Sequence, residues 1–119
     1  MSQNVETPDR STFFWPDLIF AMEYTKDGGC IRDPALTDPT DQPSHLCEDV
    51  NRHLRSIERL PVEKLIALEL LEEFYIANDD PLYRFTAKGN RFFELYRNNV
   101  EDPPFIPVAK LEELCANMQ

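Results

Sequence analysis

A chain of 119 residues can build one core, and 42% hydrophobic with 11% aromatic residues is not a composition that stays unfolded. Its 22 acidic residues against 12 basic ones, net −10, argue against long-range attraction to phosphate backbones and favour basic partners. Three cysteines, an odd count without a close pair, argue against a disulfide framework and predict a reduced, cytoplasmic protein.

Residues 1–12 read as a flexible tail, with a polar start unlike a signal peptide, and 13–119 as a single domain. "FFWPDLIFAMEY", 13–24, predicts a helix with Pro16 in its first turn, where the missing N–H costs little. Phe13, Phe14 and Trp15 read as core. The run is too short for a bilayer and is broken by Pro16 and Asp17, so no membrane partner is expected. Residues 26–44, dense in Asp, Pro, Thr and Gly, predict a long loop, either a binding loop or an insertion. Ser44 then reads as the N-cap of a helix over 45–60, because Leu46, Val50, Leu54, Ile57 and Leu60 recur at three or four residues. Pro61 ends it and opens a second helix over 61–74, apolar around most of its circumference and therefore central.

Two β-prone segments, 74–76 and 82–86, flank "ANDDP" and predict a hairpin. Thr86 offers a capping oxygen to a helix over 87–98, and Gly89 stands where a capping box would place Glu or Gln, leaving room for another backbone. Residues 107–118 predict a last amphipathic helix with Val108, Leu111, Leu114 and Cys115 as its apolar stripe. That stripe either folds back on helix 13–24 or forms a homodimer through 108–118.

The stretch "LELLEEFYIANDDPLYRFTAKGNRFFELY", 68–96, resembles the C-terminal half of winged-helix (winged helix-turn-helix) transcription regulators, with Tyr83, Thr86 and Gly89 in their Y-x-x-T-x-x-G element. The resemblance implies a mainly α fold with a small β-hairpin, a wing over 74–86 and additional helices at both ends. It departs from the pattern at the usual Gly before the wing, replaced by Leu70 or Leu71. It departs again at the DNA-reading helix, where Lys64 faces Glu63, Glu69, Glu72 and Glu73, and at the acidic wing tip, Asp79 and Asp80.

No chemistry-bearing constellation appears. Gly28–Gly29 lack a following Lys or Ser/Thr, so no cofactor is expected. Cys30, His45, Cys47 and His53 lack metal-ligand spacing, and no metal is expected; on a helix, His45 and Cys47 would also diverge. Ser44 and His45, as neighbours, cannot form a nucleophile–base pair, so no catalytic residue and no enzyme is expected.

Two functional readings remain. In the first, a small acidic regulator or adaptor binds a basic or nucleic-acid-binding protein through Glu69, Glu72, Glu73, Asp79 and Asp80, in a stronger version as a nucleic-acid mimic. Residues 61–80 support it with six acids against one base. In the second, a dimeric regulator binds DNA through Arg52, Arg55 and Arg59, at i, i+3 and i+7 of a helix, with Arg84, Lys88 and Arg91 from a basic island. That island, 81–98, has four bases against one acid. Charge ranks the first reading ahead.

Overall fold

The computed structural model describes residues 11–34, 44–77, 80–99 and 101–118. Strand β1 (Thr12–Phe14) leads directly into helix α1 (Trp15–Thr25), followed by β2 (Cys30–Arg32), β3 (Ser44–Glu48), β4 (Leu54–Glu58), α2 (Val62–Ala67), β5 (Leu71–Ala77), β6 (Asp80–Phe85), α3 (Ala87–Tyr96), β7 (Phe105–Pro107) and α4 (Lys110–Ala116). β1 and β7 form a small antiparallel pair, and the other strands form a five-stranded antiparallel sheet in the order β4-β3-β2-β6-β5. The architecture is α+β.

The pairing register sorts the sheet's two faces. One cross-strand row runs Arg55, Cys47, Ile31, Tyr83, Glu73, and its three central members are buried. The adjacent row, Ser56, Leu46, Arg32, Leu82, Tyr75, belongs to the opposite face and is half-buried in its middle and exposed at both ends. The first face carries the core. Leu18, Ala21 and Met22 of α1 join it, as do Phe92 and Phe93 of α3 and Leu111, Leu114 and Cys115 of α4. Phe13 and Trp15 are core residues as expected, and the Trp15 indole N–H donates to the Asn99 carbonyl at 3.1 Å.

The winged-helix resemblance and the mainly α fold are both overturned, because the region expected as helix 45–60 is the hairpin β3–β4. Its apolar residues have helical spacing, yet Val50 and Leu54 are 60% and 62% exposed. What is buried is His45, Cys47 and Ile57, a period-two set that apolar counting overlooks because it includes a histidine. Asp49 forms the turn: its carboxylate accepts the main-chain N–H groups of Asn51 and His53, both at 2.9 Å, while Arg52 takes φ +69°. The turn contains no glycine, so its usual sequence signature is missing.

The helix expected over 61–74 stops at Ala67. Leu70 N–H donates to the Leu65 carbonyl and Glu69 N–H to the Ile66 carbonyl, both at 2.9 Å, with Glu69 at φ +65°. This is a Schellman closure in which Glu occupies the position that normally selects glycine. Leu65 and Leu70, both fully buried, supply the apolar contact that accompanies such a closure. The continuous leucine run therefore reads as helix in sequence and divides into helix, turn and strand in the fold.

The junction at "TAKG" behaves locally as expected. Thr86 Oγ1 accepts the Gly89 N–H at 3.0 Å and caps α3. The same hydroxyl donates to the Glu69 carbonyl at 2.5 Å, and Thr86 N–H donates to the Leu70 carbonyl at 3.0 Å. A Cβ on residue 89 would stand 2.2 Å from the Leu70 carbonyl oxygen. The strand handing over here is a member of the main sheet rather than a wing.

Loop 26–44 contains β2, and its residues 35–43 lie outside the described set, as do residues 1–10 of the expected tail. The stripe Val108, Leu111, Leu114, Cys115 packs into the chain's own core, and Tyr96 donates its hydroxyl to the Leu114 carbonyl at 2.7 Å. The apolar face on which a dimer through 108–118 would rest is thus already covered. Among the described residues no helix is long and apolar enough to cross a membrane.

Candidate functional site

The acidic residues singled out in sequence gather around one hairpin. Glu69 sits in the turn before β5, while Glu72 and Glu73 are exposed on β5, and Asp80 begins β6; Asp79 lies outside the described residues. Arg84 on β6 pairs with Glu72 at 2.8 Å, whereas Glu69 and Glu73 have no ion-pair partner among the described residues. Directly after them, Phe74, Tyr75 and Ile76 are 41%, 62% and 57% exposed. Three consecutive exposed apolar residues beside carboxylates with no ion-pair partner among the described residues depart from an ordinary surface.

Strand geometry produces this exposure. β5 ends the sheet order, so its outer side has no neighbour among the described residues. A bulge between Glu73 and Tyr75 inserts Phe74, which lies against the Arg84 guanidinium at 5.0 Å from its ring centre. Tyr75 pairs with Leu82 on the face away from the core. Sequence reasoning found the acids but missed Phe74, Tyr75 and Ile76 as surface residues. The available signal was "FYI" itself, since strand alternation cannot bury consecutive residues on a single covered face.

The basic residues of the second reading do not form the expected helical face. Arg52 is in the β3–β4 turn and pairs with Glu48 at 3.3 Å. Arg55 lies over the Phe20 ring at 4.9 Å, and Arg59 holds Asp33 at 2.5 Å. Arg84 is engaged by Glu72, while Lys88 and Arg91 stand on α3. Four of the six are already engaged by a carboxylate or a ring within the chain, which reduces what they offer a phosphate backbone.

A polar cluster around the buried His45, at the opposite end of the sheet, was not visible in sequence, because its members come from three separate segments. His45 is fully buried, its Nδ1 accepts the Leu60 N–H at 3.0 Å, and its Nε2 has no hydrogen-bond partner. Nε2 faces Asp33 Oδ1 at 3.9 Å, the oxygen that Arg59 already neutralises. Burial therefore outweighs the attraction of Asp33 and lowers the imidazole pKa to about 4, with Arg59 adding to the fall. The ring has no exposed surface, and its one hydrogen bond among the described residues ties the chain just after β4 to β3.

His45 and Cys47, expected to diverge on a helix, share the buried face of β3. Burial raises the Cys47 thiol to about 12, and burial followed by Glu48 raises Cys30. All three cysteines are free and buried. Among the described residues no three His, Cys, Asp or Glu side chains converge as a metal site. Among the described residues, one shallow cleft of about 360 Å³ opens between Trp15, Phe20 and Arg97, and another of about 390 Å³ between Arg91, Leu95 and Met118. Both are lined mainly by apolar surface, with Glu23, Arg97, Asn99 and Glu101 on the first and Asn90, Arg91 and Glu94 on the second. Comparison with protein-family models, with curated proteins and with solved structures finds no match to this chain.

Proposed function

We propose that this protein is a small non-enzymatic regulator or adaptor that binds a basic protein partner on the acidic hairpin β5–β6. The observation that supports this reading is the placement of unpaired Glu69 and Glu73 beside the exposed side chains of Phe74, Tyr75 and Ile76. The two kinds of group do different work. Carboxylates at the rim raise the rate of encounter with a basic surface, and desolvated aromatic side chains supply most of the holding energy. The charge of residues 61–80, six acids against one base, extends the attraction beyond the contact itself.

The test is capture from native lysate on the immobilised chain, beside a Glu69→Lys/Glu73→Lys variant whose fold is checked by circular dichroism. Neither carboxylate has an ion-pair partner among the described residues, so reversal leaves the ion pairs seen there intact. Proteins held by the parent chain and lost by the variant support the reading. Their association should slow as salt shortens the screening length toward roughly 8 Å. Equal capture by both chains, or capture that disappears on nuclease treatment, overturns it.

A further inference from the structure

We infer that the partner enters as an extended, basic segment that adds to the five-stranded sheet along the open side of β5. This rests on the protein-binding reading above and specifies how the hairpin would hold its partner.

The hydrogen-bond alternation identifies the main-chain groups that are free to receive a strand. Asp33 N–H donates to the Pro81 carbonyl at 3.1 Å and Ile31 pairs with Tyr83, so the odd-numbered residues of β6 bond toward β2. The even-numbered residues then bond toward β5, and Thr86 N–H continues this pattern by donating to the Leu70 carbonyl. On β5 the groups used are those of Glu72, Tyr75 and Ala77. The main-chain groups of Leu71, Glu73 and Ile76 point to the open side, with no hydrogen-bond partner among the described residues.

The other edge of the sheet differs. By the same alternation Glu58 N–H points outward from β4, and the Asp17 carboxylate of α1 accepts it at 2.8 Å. A side chain thus covers part of the β4 edge, in the way that sheet edges are commonly blunted, while among the described residues β5 has its bulge and its charges alone.

Charge selects the occupant. A second copy of this chain would bring Glu72 and Glu73 of both strands, and two segments each of six acids and one base, to a single seam. A segment alternating Lys or Arg with apolar residues would place a cation beside Glu73 and an apolar side chain beside Tyr75. The bulge at Phe74 increases the local twist and disfavours flat self-templating, without removing the outward groups of Glu73 and Ile76.

The probe is an acetylated and amidated peptide of alternating lysine and valine, titrated into nitrogen-labelled full-length protein. The expected result is amide shift changes concentrated on 71–76, with slowed exchange at Leu71, Glu73 and Ile76. Ile76→Pro removes an outward N–H and leaves the β6 ladder intact, so it should weaken binding about tenfold. Glu73→Lys should weaken it to a similar degree, about tenfold. The same peptide N-methylated at alternate residues separates mode from charge even if a variant unfolds, because it keeps every cation and loses one row of donors. Equal binding of the N-methylated peptide, shifts away from β5, or no shifts at millimolar peptide would overturn strand addition. Exchange protection of these amides in concentrated protein without peptide would overturn it in favour of self-pairing. If lysate capture still depends on Glu69 and Glu73 when the peptide fails at β5, the mode fails and the protein-binding reading stands. Loss of both removes both.

Discussion

The hairpins β3–β4 and β5–β6 lie at opposite ends of one sheet and are held in different ways. β3–β4 is secured from within: His45 is buried beneath it, Asp49 closes its turn, and Asp17 covers a donor on its outer edge. β5–β6 is secured from its base, where Thr86 and Gly89 join the start of α3 to the carbonyls of Glu69 and Leu70. The first arrangement spends polar side chains to cover its edge. The second leaves its edge without a neighbouring strand among the described residues, together with three exposed apolar side chains. Within one sheet, then, one outer strand has part of its edge covered by a side chain, and the other is held at its root.

The largest effect should come from that root. Gly89→Ala drives a Cβ against the Leu70 carbonyl oxygen, which belongs to backbone and cannot rotate away. Urea unfolding should show a loss of about 3 kcal/mol. A loss below half of that would mean that α3 shifts freely and that β5–β6 is not held from its base.

At the sealed end, the prediction is a pH dependence. Burial keeps the folded pKa of His45 near 4, below the ordinary 6.5, so the contribution is complete above pH 6.5 and is lost as pH falls toward 4. The expected decline is about 3 kcal/mol across that window. His45→Gln, which retains an acceptor for the Leu60 N–H, should flatten the slope whatever it does to absolute stability. Parallel slopes for both proteins would show that other groups carry the acid sensitivity.

Thr86→Ala tests the root more gently. It removes the cap of α3 and the donor to the Glu69 carbonyl, for an expected cost of about 1–2 kcal/mol. Hydrogen exchange should locate the added opening in β5–β6 and the first turn of α3, with β3–β4 unchanged.

The smallest effects are gains. Arg52 and Glu69 hold left-handed backbone at φ +69° and +65°, a conformation that disfavours side chains. Glycine at either position should raise stability by about 0.5–1 kcal/mol, after the greater flexibility of the unfolded chain is counted. Arg52→Gly should give the smaller gain, because it also removes the exposed ion pair with Glu48. Thermal melts of the two variants compare the turns directly.

Much of the β5–β6 end was legible because its signals act over a few residues. The oxygen of Thr86, the missing Cβ of Gly89 and the β-prone pieces around "ANDDP" each operate close in sequence. The acids of the candidate site could be counted, but their pairing could not, since only the register brings Arg84 to Glu72 and leaves Glu73 without an ion-pair partner among the described residues. The β3–β4 end misled for a matching reason. Leucine and valine at helical intervals were its most visible pattern, while its buried positions carry His45 and Cys47.

By itself the sequence determined a single core-forming chain, an acid-rich stretch at 61–80, and a capped helix entered from a strand at Thr86. Tertiary structure decided that 44–48 and 54–58 are paired strands and that the fold is α+β. It also decided which sheet edge is covered and which is open. The physical reason is the location of a strand's partners. Ile31 in the short β2 is stabilised by Cys47 on one side and Tyr83 on the other, two neighbours from distant parts of the chain. A helix satisfies its backbone within its own turns, whereas a strand takes its state from segments that sequence spacing does not reveal.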